Sequence, residues 1–162
     1  MKYIFRKMQE SDLEFYLSVR NECSEFLHDN SKYVINDSII WFNKTNPEFY
    51  IINYNGADIG YFRTSKLELE SIYIGCDIHK DWRGKKLAYE AYIEFMDYIF
   101  EKYDLFKINL EVLSTNDVAY NLYKKIGFVV IDNRFQKIFR NNQIIDSILM
   151  SITKEEFKEK YR

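Results

Sequence analysis

The chain has 162 residues, 47% hydrophobic and 18% aromatic, with 23 basic side chains against 25 acidic ones. That content supports one domain with a substantial core and excludes a disordered chain, and the near-balance of charge argues against a nucleic-acid binder, which carries a basic excess. Cys23 and Cys76 are too few and too far apart for a disulfide framework or a zinc site, no signal pattern opens the chain and no apolar run reaches membrane-spanning length, so a reduced, cytoplasmic setting without membrane contact is expected.

In chain order, Tyr3–Phe5 reads as a short strand, and Ser11 or Asp12 can cap a helix running to about Asn21. A second helix is predicted over Asp37–Asn43, with Ile39, Ile40 and Phe42 apolar. Phe49–Tyr54 and Ile59–Thr64 flank Asn55-Gly56-Ala57-Asp58, a hairpin signal, and Leu69–His79 reads as the next strand. Leu87, Ala91, Phe95 and Tyr98 recur at helical spacing, giving a helix to about Lys102. Ile108–Leu113 alternates as a strand, a helix opens at Asn116 and stops at Gly127, and Phe128–Ile131 and Ile144–Ile152 look like closing strands. Helices interleaved with strands mean α/β or α+β, and without repeat or linker residues 1–162 are expected to form one domain.

Between the strand ending near His79 and the helix opening at Leu87 lies Asp81-Trp82-Arg83-Gly84-Lys85-Lys86. The first turn of a helix carries N–H groups without internal partners and the positive end of the macrodipole, so a strand–basic loop–helix junction is a ready site for a diphosphate. Some thirty residues on, Asn116, Ala119, Tyr123, Gly127 and Phe128 complete the pattern N-x-x-A-x-x-x-Y-x-x-x-G-F. With R-G-x-x-x-A at Arg83–Ala88, this order resembles the GNAT N-acetyltransferase superfamily, most closely over Glu70–Phe128.

The resemblance implies a mixed, mainly antiparallel sheet of roughly six to seven strands, splayed between strands 4 and 5, with about four helices. It also implies acetyl-coenzyme A as cosubstrate and no metal. Main-chain amides over Arg83, Gly84, Lys85, Lys86, Leu87 and Ala88 would hold the diphosphate. Lys86 stands where the family's first loop glycine is expected, and Lys80 where many relatives have proline. A bulge in the preceding strand, with which Gly75 is consistent, would free main-chain groups of Cys76 and Ile78 for the pantetheine arm and the thioester oxygen. Asn116 would lie against the pantetheine chain and Tyr123 beside the sulfur, as general acid to the departing thiolate. Asn116, Tyr120 and Tyr123 share one helix face, but Tyr120 reads as packing. Cys76 reads as a small core residue rather than a nucleophile.

For the general base the position used in one branch of the family holds Ile72, and Glu70, two residues earlier on the same strand face, is the nearest substitute. Glu68, Asp77 and Glu111 are further carboxylates, and His28 and His79 read as non-catalytic. Arg20-Asn21-Glu22 and the hairpin Asn141–Asp146 resemble the branch containing ribosomal-protein, polyamine and nucleotide-linked amino-sugar acetylases, with Glu22 and Asp146 able to attract a cationic amine. The expected partner is a small-molecule amine, an amino sugar first and a polyamine next, acting on a monomer or homodimer. A protein N-terminal or lysine acetyltransferase, or a non-catalytic acyl-coenzyme-binding domain, are the alternatives.

Overall fold

The protein's structure, a computed structural model, describes residues 2–162. The strands are β1 (Tyr3–Lys7), β2 (Tyr50–Tyr54), β3 (Ala57–Thr64), β4 (Ser71–Ile78), β5 (Lys107–Leu113), β6 (Val129–Arg140) and β7 (Gln143–Thr153). The helices are α1 (Leu13–Glu22), α2 (Ile35–Thr45), α3 (Leu87–Lys102), α4 (Asp117–Ile126) and α5 (Lys154–Tyr161). The strands form one seven-stranded sheet in the order β1-β2-β3-β4-β5-β7-β6. Every neighbouring pair is antiparallel except β4 and β5, which run parallel.

That parallel pair is short. It pairs Ser71–Lys107, Ile72–Ile108 and Tyr73–Asn109 and then stops, while β4 stays on β3 as far as Ile78 and β5 stays on β7 as far as Leu113. Each strand is held by its outer neighbour, so the sheet opens as a V between Ile74–Ile78 and Leu110–Leu113. The expected fold, mixed and splayed between strands 4 and 5, is the one observed.

Two cores follow from the alternation of side chains along the strands. On one face Ile72, Ile74 and Ile78 of β4 pack with Phe62 of β3 and with Leu87, Ala91, Phe95 and Ile99 of α3. The rings of Phe62 and Phe95 stack with centroids 3.9 Å apart, and Phe5 and Tyr50 close on Phe95 from either side. On the other face Leu13, Tyr16 and Leu17 of α1 cover Ile51 and Tyr61.

Three elements depart from the sequence reading. The strand expected over Leu69–His79 begins at Ser71, because Glu68 and Ser71 exchange backbone hydrogen bonds across a tight turn with Leu69 and Glu70 at φ 47° and 60°. Both central residues are left-handed, as in a two-residue hairpin turn, though neither is glycine. β6 is much longer than Phe128–Ile131, carries shifts of register on β7, and turns back through Asn141 and Asn142 at φ 53° and 61°. A fifth helix, α5, was absent from the expectation. Thr153 caps it, its hydroxyl accepting from the Glu156 N–H while the Glu156 carboxylate accepts from the Thr153 N–H.

Phe95 is fully buried at the centre of the aromatic stack. Phe95→Ala should cost about 3–5 kcal/mol of stability, read as a lower midpoint in denaturant titration. A loss under about 1 kcal/mol would show that the site collapses around the gap.

Candidate active site at the sheet opening

The opening exposes main-chain groups that a closed sheet would consume. His79 donates its N–H to the Ile59 carbonyl at 2.8 Å, and Ser65 donates to the Tyr73 carbonyl at 3.0 Å. Odd-numbered residues of β4 therefore turn their main-chain groups to β3, and Ile74, Cys76 and Ile78 turn theirs into the V. No bulge is needed, which corrects the expectation at Gly75: β4 holds an unbroken register on β3, and the parting of β5 frees the groups. Gly75 has a different reason. A Cβ there would lie 2.5 Å from Nη2 of Arg63, its cross-strand partner.

At the wide end of the V the chain makes a short 3-10 turn over Lys80–Trp82, capped by His79 Nδ1, and then the loop into α3. Gly84 and Lys86 both have positive φ, 75° and 61°. Lys86 occupies the N-cap position of α3 and makes no capping hydrogen bond through its side chain. Among the described residues, no backbone acceptor takes the N–H groups of Gly84, Lys85, Lys86, Leu87 or Ala88. These donors, at the positive end of a helix of 16 residues, fit a diphosphate.

The Arg83 side chain turns away from the loop's outer face. It folds inward, Nε donating to the Ile78 carbonyl at 2.9 Å and Nη2 lying 2.9 Å from Cys23 Sγ, so it ties the loop to β4 and α1 and adds little charge to the loop's outer face. Lys85 Nζ lies over the Trp82 ring, 5.0 Å from its centroid. Lys80 pairs with Glu22 at 3.4 Å, and Asp146 with Arg134 at 3.9 Å.

α4 brings the second motif to the other arm of the V. Asn116 is its N-cap, with Oδ1 accepting from the Ala119 N–H at 3.3 Å, and Gly127 ends it at φ 125°. The Tyr123 ring packs edge-on to Tyr92 of α3, centroids 5.5 Å apart. Its hydroxyl accepts a hydrogen bond from the Tyr92 hydroxyl at 3.3 Å, which leaves its own proton unspent. Burial pushes the Tyr123 hydroxyl up to about 12, a shift opposed by the Tyr92 hydrogen bond. Burial also holds the Cys76 thiol well above its ordinary range, which keeps it protonated and supports the core reading. Tyr120, half-buried, carries Lys124 Nζ over its ring at 5.4 Å.

On the face of the sheet that carries α1 and α2, a cavity of about 440 Å³ reaches Tyr123. Ile74, Gly75, Arg63, Glu111 and His28 line it together with Arg20 and Asp29. Its roof is the segment between α1 and α2, which the two chain halves clamp. Arg20 donates to the Ser31 and Asp29 carbonyls at 2.5 and 3.1 Å, Asn21 exchanges two hydrogen bonds with the Tyr33 backbone, and Arg140 of β6 reaches the Glu25, Leu27 and His28 carbonyls. His28, read from sequence as non-catalytic, meets the buried Ser147, Nε2 to Oγ at 2.6 Å, and Ser147 donates to Glu111 Oε1 at 2.9 Å. Burial lowers the His28 imidazole below its ordinary range, so it is neutral near pH 7.

The structure does not bring Glu70 to this site. It sits at the far end of β4 in the tight turn, exposed, with its carbonyl accepting from the Phe106 N–H, and its left-handed backbone takes it off the strand face it was expected to share with Ile72. Glu111 and Asp77 are the carboxylates near the opening. Asp77 is buried and accepts from the Tyr61 hydroxyl at 2.5 Å, whereas Glu111 lines the cavity.

Comparison with known proteins agrees with this geometry. Spermidine N(1)-acetyltransferase of Escherichia coli K12 is 32% identical over 85 residues, which cover 52% of this chain and 46% of that protein, so the match spans about half the length of the curated relative. The solved structure of spermidine N-acetyltransferase from Vibrio cholerae in complex with CoA and spermine has a TM-score of 0.86 at 22% identity, covering 97% of this chain and 98% of that one. A putative acetyltransferase from Salmonella typhimurium, solved with its cofactor acetyl-CoA, has a TM-score of 0.76 at 13% identity over 94% of each chain. At such identities these two structures speak for the fold alone. A family model for acetyltransferases of the GNAT family matches residues 5–128, and on that match, with the splayed sheet and its two motifs in place, the chain belongs to the GNAT acetyltransferase family.

Proposed function

We propose that this chain transfers the acetyl group of acetyl-coenzyme A to a primary amine of a small molecule, by direct attack of the amine on the thioester. The observation that carries the reading is the position of Tyr123, whose free O–H stands where the open edge of β4 meets the cavity. The loop amides of Gly84–Ala88 would hold the diphosphate, and the Cys76 and Ile78 amides would hold the pantetheine arm and polarise the thioester oxygen. Asn116, whose Oδ1 caps α4, keeps its Nδ2 for the pantetheine chain.

The amine enters from the cavity and must lose a proton. Of the two carboxylates there, Asp29 is held by Ser31 and Tyr33, and Glu111, with Ser147 holding one of its oxygens, replaces Glu70 as the proposed base. Tyr123 supplies the proton to the departing thiolate. Its raised pKa keeps it loaded throughout the physiological range, and the burial that raises it also raises a thiolate formed beside it, as it does Cys76. A cavity of about 440 Å³ under a clamped roof suits a small acceptor better than a protein chain. The named activity of the matched relatives supports a polyamine, and an amino sugar is the other class to compare.

Saturating acetyl-coenzyme A should raise the melting temperature, a hundredfold excess over Kd being worth about 2.7 kcal/mol by linkage. An unchanged melting temperature would contradict the cosubstrate. Tyr123→Phe keeps the packing and removes the hydroxyl, so kcat should fall roughly 10²–10⁴-fold with coenzyme affinity held. Tyr120→Phe should change kcat less than about threefold, and steady-state kinetics on both variants separates the two rings.

Lys86→Gly addresses the loop. A left-handed non-glycine residue costs about 1–2 kcal/mol, and the extra freedom of glycine in the unfolded chain returns part of it. The variant should therefore be more stable by about 0.5–1 kcal/mol, with coenzyme affinity within about threefold. A tenfold loss of affinity would show that the lysine charge, not the backbone, governs the site.

A further inference from the structure

Four charged side chains line the cavity, and two of them are already occupied. Arg20 is spent on the Ser31 and Asp29 carbonyls, and its guanidinium covers the Tyr33 ring at 4.4 Å. Asp29 is held by the Ser31 N–H and the Tyr33 hydroxyl. The other two are Glu111 and Arg63.

Arg63 is the unusual one. Among the described residues no acceptor meets any of its N–H groups, and its Nε is buried without a hydrogen bond. Asp77 lies 3.4 Å from that Nε, which balances the charge, but the Asp77 oxygen involved already accepts from Tyr61. The guanidinium is nonetheless held in place, since it lies across β4 at the one residue without a Cβ, Gly75, where a methyl group would come within 2.5 Å of Nη2. With Nε buried against Asp77, the two Nη groups are the fixed, unused donors beside Tyr123, an arrangement that recognises carboxylate or phosphate.

We propose that Arg63 binds an anionic group of the acceptor, so that the substrate is a primary amine that also carries a carboxylate or a phosphate. This rests on the acyl-transfer reading and, for its acceptor, departs from the polyamine that the relatives' named activity supports. Such a molecule complements the groups that the cavity leaves without a hydrogen bond or a counter-ion, its ammonium toward the Glu111 carboxylate and its anion toward the Arg63 Nη donors. A polyamine would instead set a second ammonium, which can only donate, against donors that it leaves unpaired.

Matched pairs of amines test this: glucosamine against glucosamine 6-phosphate, and serine amide against serine, with spermidine as an acceptor lacking an anion. Binding to the coenzyme-free chain is read by calorimetry, and turnover by thiol release from acetyl-coenzyme A. The anion-bearing member of one pair should bind about tenfold tighter or more and show the larger kcat/KM. Arg63→Gln should bring the pair to equality in both assays while acetyl-coenzyme A affinity stays unchanged. Because Arg63→Gln leaves Asp77 uncompensated, the double variant Arg63→Gln, Asp77→Asn is run beside it. Gly75→Ala, which displaces the guanidinium, should also erase the difference. Preference for spermidine, equality within both pairs in the wild-type chain, or a preference that survives Arg63→Gln overturns the assignment and leaves acetyl transfer standing. Anion-dependent calorimetric binding without any binding of acetyl-coenzyme A has the opposite meaning: Arg63 stands and the transfer reading fails.

Discussion

The proposed chemistry depends on two parallel strands that pair for three residues and then part. A polar main-chain group buried without a partner is expensive, so sheets seldom leave a ladder open in their interior. Here the cost is tolerable because the groups of Ile74 and Cys76 and the Ile78 N–H face the opening of the V, and the Ile78 carbonyl accepts from Arg83. The same parting sets the other features in place. It puts the loop into α3 and the start of α4 on the two arms of the V at its open end, and it lets Tyr123 reach from α4 into the cavity beside β4. A closed sheet with the same residues would have neither donors for a thioester nor a route from the amine cavity to it.

The clamped roof explains how an irregular segment of the chain can bound a defined cavity. The segment after α1 contributes few side chains to either core, and its order comes from carbonyls held by guanidinium groups: Arg20 from below, Arg140 from the far hairpin. Arg20 is itself buried, and its charge is met by the Ser31 and Asp29 carbonyls together with the Asp29 carboxylate 3.6 Å away. Arg63 contrasts with both. It has the same group but is more open to the cavity, its Nε faces Asp77 and its Nη donors carry no hydrogen bond, and that difference separates a structural arginine from one available to a ligand.

Much of this was legible in the sequence because its signals are local. The spacing of Leu87, Ala91 and Phe95 gave the helix, Asn116 and Gly127 gave both ends of α4, and the order of the two motifs gave the fold. The misses came from non-local causes or from signals passed over. Thr153-Lys154-Glu155-Glu156 is a capping box that announces α5 and is readable by eye. Glu70 was misplaced because alternation was extended through a turn made without glycine, where pairing between Glu68 and Ser71 overrides residue preference. Residues 132–136 of β6 show no alternation, since β7 alone defines that strand, through shifts of register. The roles of His28 and Arg63 rest on contacts with Ser147 and Gly75, at sequence separations that periodicity cannot reach.

Amide hydrogen exchange, followed residue by residue with and without acetyl-coenzyme A, tests the central claim most directly. If the parted edge of β4 and the loop into α3 hold the cosubstrate, the amides of Cys76, Ile78 and Gly84–Ala88 should gain protection together. The odd-numbered amides of β4, bonded to β3, should change little. Protection confined to the loop, with Cys76 and Ile78 exchanging as before, would contradict the account, because the opening of the sheet would then play no part in binding the thioester.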